Sequence, residues 1–260
     1  LRRGVRAVTL HHVVDGEPGA PAILLASSLG ATHAMWEPQV APLAERHRVV
    51  RCDRRGHGAS PVVPGPTTID DLGGDLLELL DALELERVSF CGLSLGGLEG
   101  MWLALRAPER VDRLVLACTS SSFAPREAWV ERAATVREEG VEAIADATMG
   151  RWFSASLRDT EPAVVTRFRE MLLSTPPEGY AACCDVLADT DLTGELAGIR
   201  APTLVITGSD DPTITPARGD ELSGAIPGAR HVTLDGAAHL ANVDRASAFT
   251  TAVLDHLAAS

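Results

Sequence analysis

The stretch RVSFCGLSLGGLEG, residues 87–100, constrains the fold more than any other part of the chain. An apolar, strand-like run ends near Gly92, and a helical pattern begins within three residues, at Leu95. The turn between them reads Gly92-Leu93-Ser94-Leu95-Gly96, the pattern G-x-S-x-G, in the strand-to-helix context that a nucleophile elbow requires. Glycine at both ends leaves room where side chains would collide with neighbouring backbone. Ser94 then stands near a helix N-terminus, where backbone N–H groups lack intrahelical acceptors. Taken alone, the five letters fit an activated nucleophile, a helix cap or one member of a small-residue cluster. They do not fit a dinucleotide loop, because GLSLGG lacks the G-x-G-x-x-G spacing.

The same strand–helix step recurs along the first half. Strand patterns occupy VRAVTLHHVVDG (5–16), PAILLASSLG (21–30), RVVRC (48–52), RVSFCG (87–92) and RVDRLVLACTS (110–120). Helical spacing occupies 35–47, the segment from Thr68 with Leu72, Leu76, Leu79, Leu80 and Leu83 on one side, and Leu95 to Arg106. Asp70 or Asp71 is expected to cap the second of these helices. The alternation predicts the α/β class, a mostly parallel sheet covered on both faces.

The rhythm stops after Ser122. Helices are expected over 127–139, 141–149, 161–173 and 177–188, with no strand among them. Trp129, Trp152, Phe153, Phe168 and Tyr180 are concentrated there in an aromatic-poor chain, as a lid over the sheet edge would need. Strands return in APTLVITGSDD (201–211) and ARHVTLDGAAH (229–239), with helices at 218–225 and 245–258. The expected organisation is therefore a core made of 1–122 and 192–260, with a helical cap at 123–191 inserted after a sixth strand.

Charge and cysteine usage narrow the function classes. The formal net charge is −13, and all 23 basic residues are arginines. So acidic a chain, with no arginine stripe interleaved with aromatics, is not a general nucleic-acid binder. The absence of lysine removes Schiff-base and Walker-type chemistry. The five cysteines, at 52, 91, 118, 183 and 184, match no zinc or iron–sulfur spacing, and an odd number suits a reducing compartment. Cys52, Cys91 and Cys118 lie in or beside strand-like runs and read as small buried hydrophobes. No run of about 18 apolar residues marks a membrane span, and no secretory h-region is present, so the cytoplasm is the expected location.

A nucleophile needs partners. Asp210 and Asp211 follow a strand at its expected C-terminal end, where α/β ligand sites collect; either fits an acid, and either fits a turn before Pro212. His239 sits in the small-residue loop DGAAHLAN after the last strand and fits the base. Ser94, acid, His239 is the chain order of the α/β-hydrolases. His11, His12, His33, His47 and His256 lie in strand or helix contexts, and His57 in DRRGHGAS reads as a loop hydrogen-bonding residue. No histidine–carboxylate spacing matches a zinc site, including H-E-x-x-H, so no metal and no cofactor are expected. Oxyanion donors are expected at the Leu95 N–H, directly after the serine, and at Leu29 in the loop SSLGATHAMW after the second strand.

These residues together resemble the α/β-hydrolase superfamily over nearly the whole length. Within it the chain is similar to the 3-oxoadipate enol-lactonases of the β-ketoadipate pathway. The resemblance is carried by SLGATHAMWEPQV (28–40), RCDRRGHGAS (51–60), TIDDLGGDLLELLDALELERVSFCGLSLGG (68–97), LVITGSDDPTITP (204–216) and GAAHLANVD (236–244). It implies Ser94 as nucleophile, Asp211 as acid, His239 as base, and Leu29 and Leu95 as oxyanion donors. It also implies Trp129 and Trp152 as cap aromatics near the substrate. Cys52 stands where the family carries an aromatic residue, a packing change on a strand.

The activity implied is hydrolysis of the ring of 3-oxoadipate enol-lactone through an acyl-enzyme, without cofactor. The partner is then a small lactone bearing a carboxylate, with no nucleic acid and no membrane. An acidic chain repels such a substrate at long range, so a local cation is expected, with Arg132, Arg137 and Arg151 as candidates and Arg132 placed in the pocket with the tryptophans. The competing readings are another serine hydrolase (carboxylesterase, carbon–carbon bond hydrolase or haloperoxidase-like perhydrolase) and a non-catalytic binding protein. A dehalogenase is disfavoured, because its elbow carries Asp where this chain has Ser94. No sequence pattern separates a monomer from a homo-oligomer.

Overall fold

The computed structural model describes residues 9–259. Seven strands form one sheet: β1 His12–Asp15, β2 Ala22–Ala26, β3 Arg48–Cys52, β4 Val88–Leu93, β5 Val111–Ala117, β6 Thr203–Gly208 and β7 Arg230–Leu234. Their spatial order is β1-β3-β2-β4-β5-β6-β7, with β1 antiparallel to β3 and all other pairs parallel. Every residue of β2, β4 and β6 is buried, as near-continuous apolar strands are when helices cover both faces. The α/β class expected from the alternation is the fold observed.

The core helices are α1 Glu37–Ala44, α2 Ile69–Ala82 and α3 Leu95–Arg106. The α2 helix starts two residues earlier than a cap at Asp70 allows. Thr68 is its N-cap, accepting from Asp71 N–H, while the Asp71 carboxylate reaches back to Thr68 N–H at 2.9 Å. Threonine and the acidic residue three positions on thus satisfy two orphan donors reciprocally, and Asp70 instead accepts from Trp102 Nε1 at 2.6 Å. The α3 helix packs on β4 and β5 and contacts α2. Its approach to the sheet is close: a side chain on Gly100 would crowd Phe90, and one on Gly97 would crowd Thr119.

Between β5 and β6 the chain forms α4 Arg126–Glu139, α5 Ala145–Trp152, α6 Ala155–Thr160, α7 Pro162–Leu173 and α8 Pro177–Asp189. The stretch expected as one helix over 141–149 is divided. Gly140, at φ 82°, ends α4, a 3₁₀ turn follows over Val141–Ile144, and α5 starts at Ala145. The α6 helix was not expected; six residues are too few to show a period, and it begins where Ser154 accepts from Leu157 N–H. Ser122 and Asp191 pair as an antiparallel bridge where this helical stretch leaves and rejoins the sheet. Five described strands precede it, not the six expected. The beginning of the strand expected over 5–16 lies outside the described residues.

After β6 come α9 Pro216–Ala225, α10 Ala241–Asp244 and α11 Ala246–Ala258. The α9 helix packs on β6 and β7, while α11 contacts β5, β6, β7 and α1. No described helix is long and apolar enough to cross a membrane. All five cysteines are free and buried; burial pushes the Cys91 thiol well above its usual range, as a small structural hydrophobe requires.

Candidate active site

Ser94 sits between β4 and α3 with φ 58° and ψ −117°, a left-handed backbone that a side-chain-bearing residue rarely adopts. The strain is held from several sides. Ser94 N–H donates to Ala117 O at 2.9 Å, and Ser94 O accepts from Thr119 Oγ1 at 2.6 Å and Gly97 N at 2.9 Å. A side chain on Gly92 would collide with the Gly96 carbonyl, and one on Gly96 with the Ala26 carbonyl. Both glycines of the motif are therefore required by backbone approaching backbone, across the turn and against the end of β2.

Asp211 and His239 come from the loops after β6 and β7. Asp211 Oδ2 lies 2.7 Å from His239 Nδ1, and the Asp211 side chain is fully buried. Its other oxygen accepts from Thr213 N at 2.8 Å and Ile214 N at 3.0 Å. Two backbone donors thus aim the carboxylate at the imidazole. Asp210 is the exposed turn residue of the pair, accepting from Ser209 Oγ at 2.7 Å. The His239 loop is tied to the inserted helices: His239 N donates to Arg151 O at 3.3 Å and Leu240 N to Trp152 O at 2.9 Å. Asp244 completes the tie, accepting from Ala238 N at 2.7 Å and from Ser154 N and Oγ. Burial raises the Asp244 pKa against these hydrogen bonds.

Ser94 and His239 line one open cleft together with Leu29, Trp129, Arg132, Arg151, Trp152 and Tyr180. No hydrogen bond joins the Ser94 hydroxyl to His239 among the described residues, and such bonds commonly tighten only when substrate is bound. Leu95 lies behind the cleft wall, fully buried, as the first residue of α3 with its N–H free of any intrahelical acceptor.

In the loop after β2, every other N–H from Ser28 to His33 has a partner. Ser28 N donates to Met35 Sδ, Gly30 N to His57 Nε2 at 3.0 Å, Ala31 N to Ser28 O, Thr32 N to Met171 Sδ, and His33 N to Asp53 Oδ1 at 2.7 Å. The Leu29 N–H alone has none among the described residues, the condition an oxyanion donor must meet.

The block RCDRRGHGAS shapes that loop, which sequence reasoning did not foresee. Arg54 forms a bidentate pair with Glu99 of α3, both distances 2.9 Å, and donates to Ser28 O at 3.0 Å and Ser27 O at 2.6 Å. His57 is fully buried, and desolvation with the Arg54 charge pushes its pKa down to about 3. It is therefore neutral at ordinary pH and able to accept from Gly30. His57 as a loop hydrogen-bonding residue, not the base, agrees with this placement.

One group of three potential metal ligands forms among the described residues: His11, His33 and Asp53. No spacing revealed it, because the three come from distant segments. Asp53 accepts from His11 Nδ1, His33 Nδ1, His33 N and Ala59 N, so the carboxylate is already filled by four donors. Burial works against its charge, but these donors hold its pKa below the usual range.

Among the candidate cations, Arg137 is excluded from the cleft. It is partly exposed and paired with Glu178 at 2.9 Å and Asp185 at 2.7 Å. Trp152 is buried, edge-on to Phe153 and Phe168, so only part of it meets the cleft. Trp129 is half-buried beside Phe123.

Comparisons with known proteins show the family. A model of the alpha/beta hydrolase fold matches residues 21–246. The chain is 39% identical over 248 residues to 3-oxoadipate enol-lactonase 2 of Acinetobacter baylyi, covering 95% of this chain and 92% of that one. The crystal structure of the enol-lactonase from Burkholderia xenovorans LB400 superposes with a TM-score of 0.95 at 46% identity, covering 97% of each chain. A thermophilic esterase from Thermogutta terrifontis, with malate bound, superposes with a TM-score of 0.91 at 30% identity, covering 96% of this chain and 93% of that one.

Proposed function

Since the chain belongs to the alpha/beta hydrolase fold family and, within it, to the 3-oxoadipate enol-lactonases, we propose that it hydrolyses the ring of 3-oxoadipate enol-lactone with Ser94, His239 and Asp211. The observation that carries the site assignment is a strained serine sharing one cleft with a histidine whose far nitrogen is held by a buried carboxylate.

His239 takes the Ser94 proton as the hydroxyl attacks the lactone carbonyl, and Asp211 stabilises the imidazolium and fixes its tautomer. The oxyanion is met by the Leu29 and Leu95 N–H groups. As the tetrahedral intermediate collapses, the ring C–O bond breaks and His239 protonates the departing enol oxygen. The acyl chain stays esterified to Ser94. Water, deprotonated by His239, then releases the carboxylate product, and the enol tautomerises to the ketone. The helices over 123–191 act as the cap, closing the cleft from the side opposite the sheet.

Steady-state kinetics on 3-oxoadipate enol-lactone beside a panel of neutral esters tests this. A preference for the lactone, lost by roughly 10⁴-fold or more in Ser94→Ala with the fold intact, is the expected result. Near-normal turnover by Ser94→Ala ends the serine mechanism. A neutral-ester preference by the unaltered chain replaces the lactonase with a carboxylesterase, the reading that the likeness to the Thermogutta esterase favours.

A further inference from the structure

We infer that Arg132 and Arg151, joined through Thr148, form a carboxylate-binding subsite in the cleft of Ser94, so that the enzyme selects substrates bearing an anionic group remote from the scissile bond. This rests on the lactonase reading and deepens it, since it names the groups that recognise the substrate.

Three features of this pair point to an anion. The first is what the two cations lack. Arginines drawn inward elsewhere are matched to carboxylates: Arg54 to Glu99, Arg55 to Asp75, Arg51 to Asp15 and Glu37. Arg132 and Arg151 have no carboxylate within 4.0 Å among the described residues. They share instead one neutral acceptor, Thr148 Oγ1, at 2.8 and 3.1 Å. That hydroxyl already donates to Ile144 O at 2.8 Å, so its single proton and both lone pairs are used.

The second is the donor capacity left over. A guanidinium carries five N–H donors, and the Arg132 Nε is buried with no partner at all. Unmet donors on desolvated cations are costly unless a ligand supplies acceptors.

The third is rigidity. The Arg132 guanidinium lies 5.7 Å from the Trp129 ring centroid and 5.5 Å from that of Tyr180, which fixes its plane against two aromatic faces. Arg151 comes from α5, one residue before Trp152 and bonded through its own carbonyl to His239 N. The pair is thus attached to the backbone of the base, which sets the reach from carboxylate to reacting carbonyl. Burial, and then the neighbouring Arg132 charge, lowers the Arg151 pKa, as two like charges awaiting a counter-ion would. In a chain of net charge −13 this is a local inversion of the field inside the cleft.

The test uses the full chain with Arg132→Met and Arg151→Met, each with a Lys counterpart. The substrates are 3-oxoadipate enol-lactone and 4-nitrophenyl acetate, and glutarate is the inhibitor. Each Met variant should lose about 30-fold or more in kcat/KM on the lactone, mostly through KM, while its rate on 4-nitrophenyl acetate changes little. Each Lys variant should recover part of the loss. Glutarate should inhibit acetate hydrolysis competitively in the unaltered chain and in neither Met variant. Equal losses on both substrates, unchanged lactone kinetics, or inhibition by glutarate that survives both substitutions would each overturn the subsite. Should a Met variant fail to fold, the unaltered chain decides alone, since absence of competitive glutarate inhibition overturns it. If the chain hydrolyses neither substrate, the lactonase reading fails separately, and calorimetric titration of glutarate still decides the subsite: binding to the unaltered chain and none to Arg132→Met supports it, while no binding to the unaltered chain or equal binding to both overturns it.

Discussion

At the scale of the residue, adjacent aspartates have opposite fates. Asp211 is buried, receives two backbone N–H donors and faces His239, whereas Asp210 is exposed and bonds to its neighbour Ser209. Asp211→Asn should therefore lower kcat by roughly 10⁴-fold on any substrate that Ser94 attacks, because the amide no longer fixes the imidazole tautomer. Asp210→Asn should leave kcat within about threefold, as surface substitutions usually do. Parallel steady-state assays decide; equal losses would mean that both carboxylates serve the base. The pattern of residues left Asp210 and Asp211 both open, and only the resemblance to the family pointed to Asp211, because a one-residue step along a turn moves a side chain from solvent to a buried position.

At the scale of the element, the loop after β2 is held by the block after β3 through hydrogen bonds to its backbone. Arg54 grips two of its carbonyls and is neutralised by Glu99 from α3. Removing one member of a buried pair strands the other charge, so Arg54→Met should cost about 3–5 kcal/mol of stability. Replacing both, as in R54M/E99L, should recover much of that loss while kcat stays depressed, since the carbonyls of Ser27 and Ser28 are no longer gripped. Urea unfolding with kcat per folded molecule separates the two effects; a double variant with full kcat would show that the loop holds its own shape. Gly56 meets Gly179 of α8 backbone to backbone, so the same block also seats the inserted helices. RCDRRGHGAS was legible as a motif. Its partners lie in segments far apart along the chain, and no periodicity links them.

For the whole molecule, three histidines, His57, His256 and His47, have pKa values lowered chiefly by burial. The largest shift is at His57, from 6.5 to about 3. Below pH 6.5 the unfolded chain takes up protons that folded His57 refuses. Stability is thus complete above that pH and declines as pH falls toward 3, by an amount on the order of several kcal/mol. Unfolding free energies measured from pH 7.5 down to pH 4.5 should show this decline, and His57→Gln, which keeps an acceptor for Gly30 but does not titrate, should flatten it. An equally steep decline in that variant would assign the effect to other groups.

The sequence by itself determined the α/β class, the strand-to-helix turn that strains Ser94, the change from alternating to all-helical chain after Ser122, and the loops that carry the candidate aspartates and histidine. These are local properties: hydrophobic period, glycine spacing, and the order of loops following strands. Tertiary structure alone decided which arginines enter the cleft; it also sets Asp211 rather than Asp210 against His239 and leaves the Leu29 N–H without a partner among the described residues. Arg132, Arg137 and Arg151 are equivalent as letters. Arg137 turns outward to Glu178 and Asp185, while Arg132 and Arg151 meet over Thr148. What separates them is the direction each helix face takes once α4 packs on α8 and α5 on α7, and that packing depends on contacts between segments the chain order keeps apart.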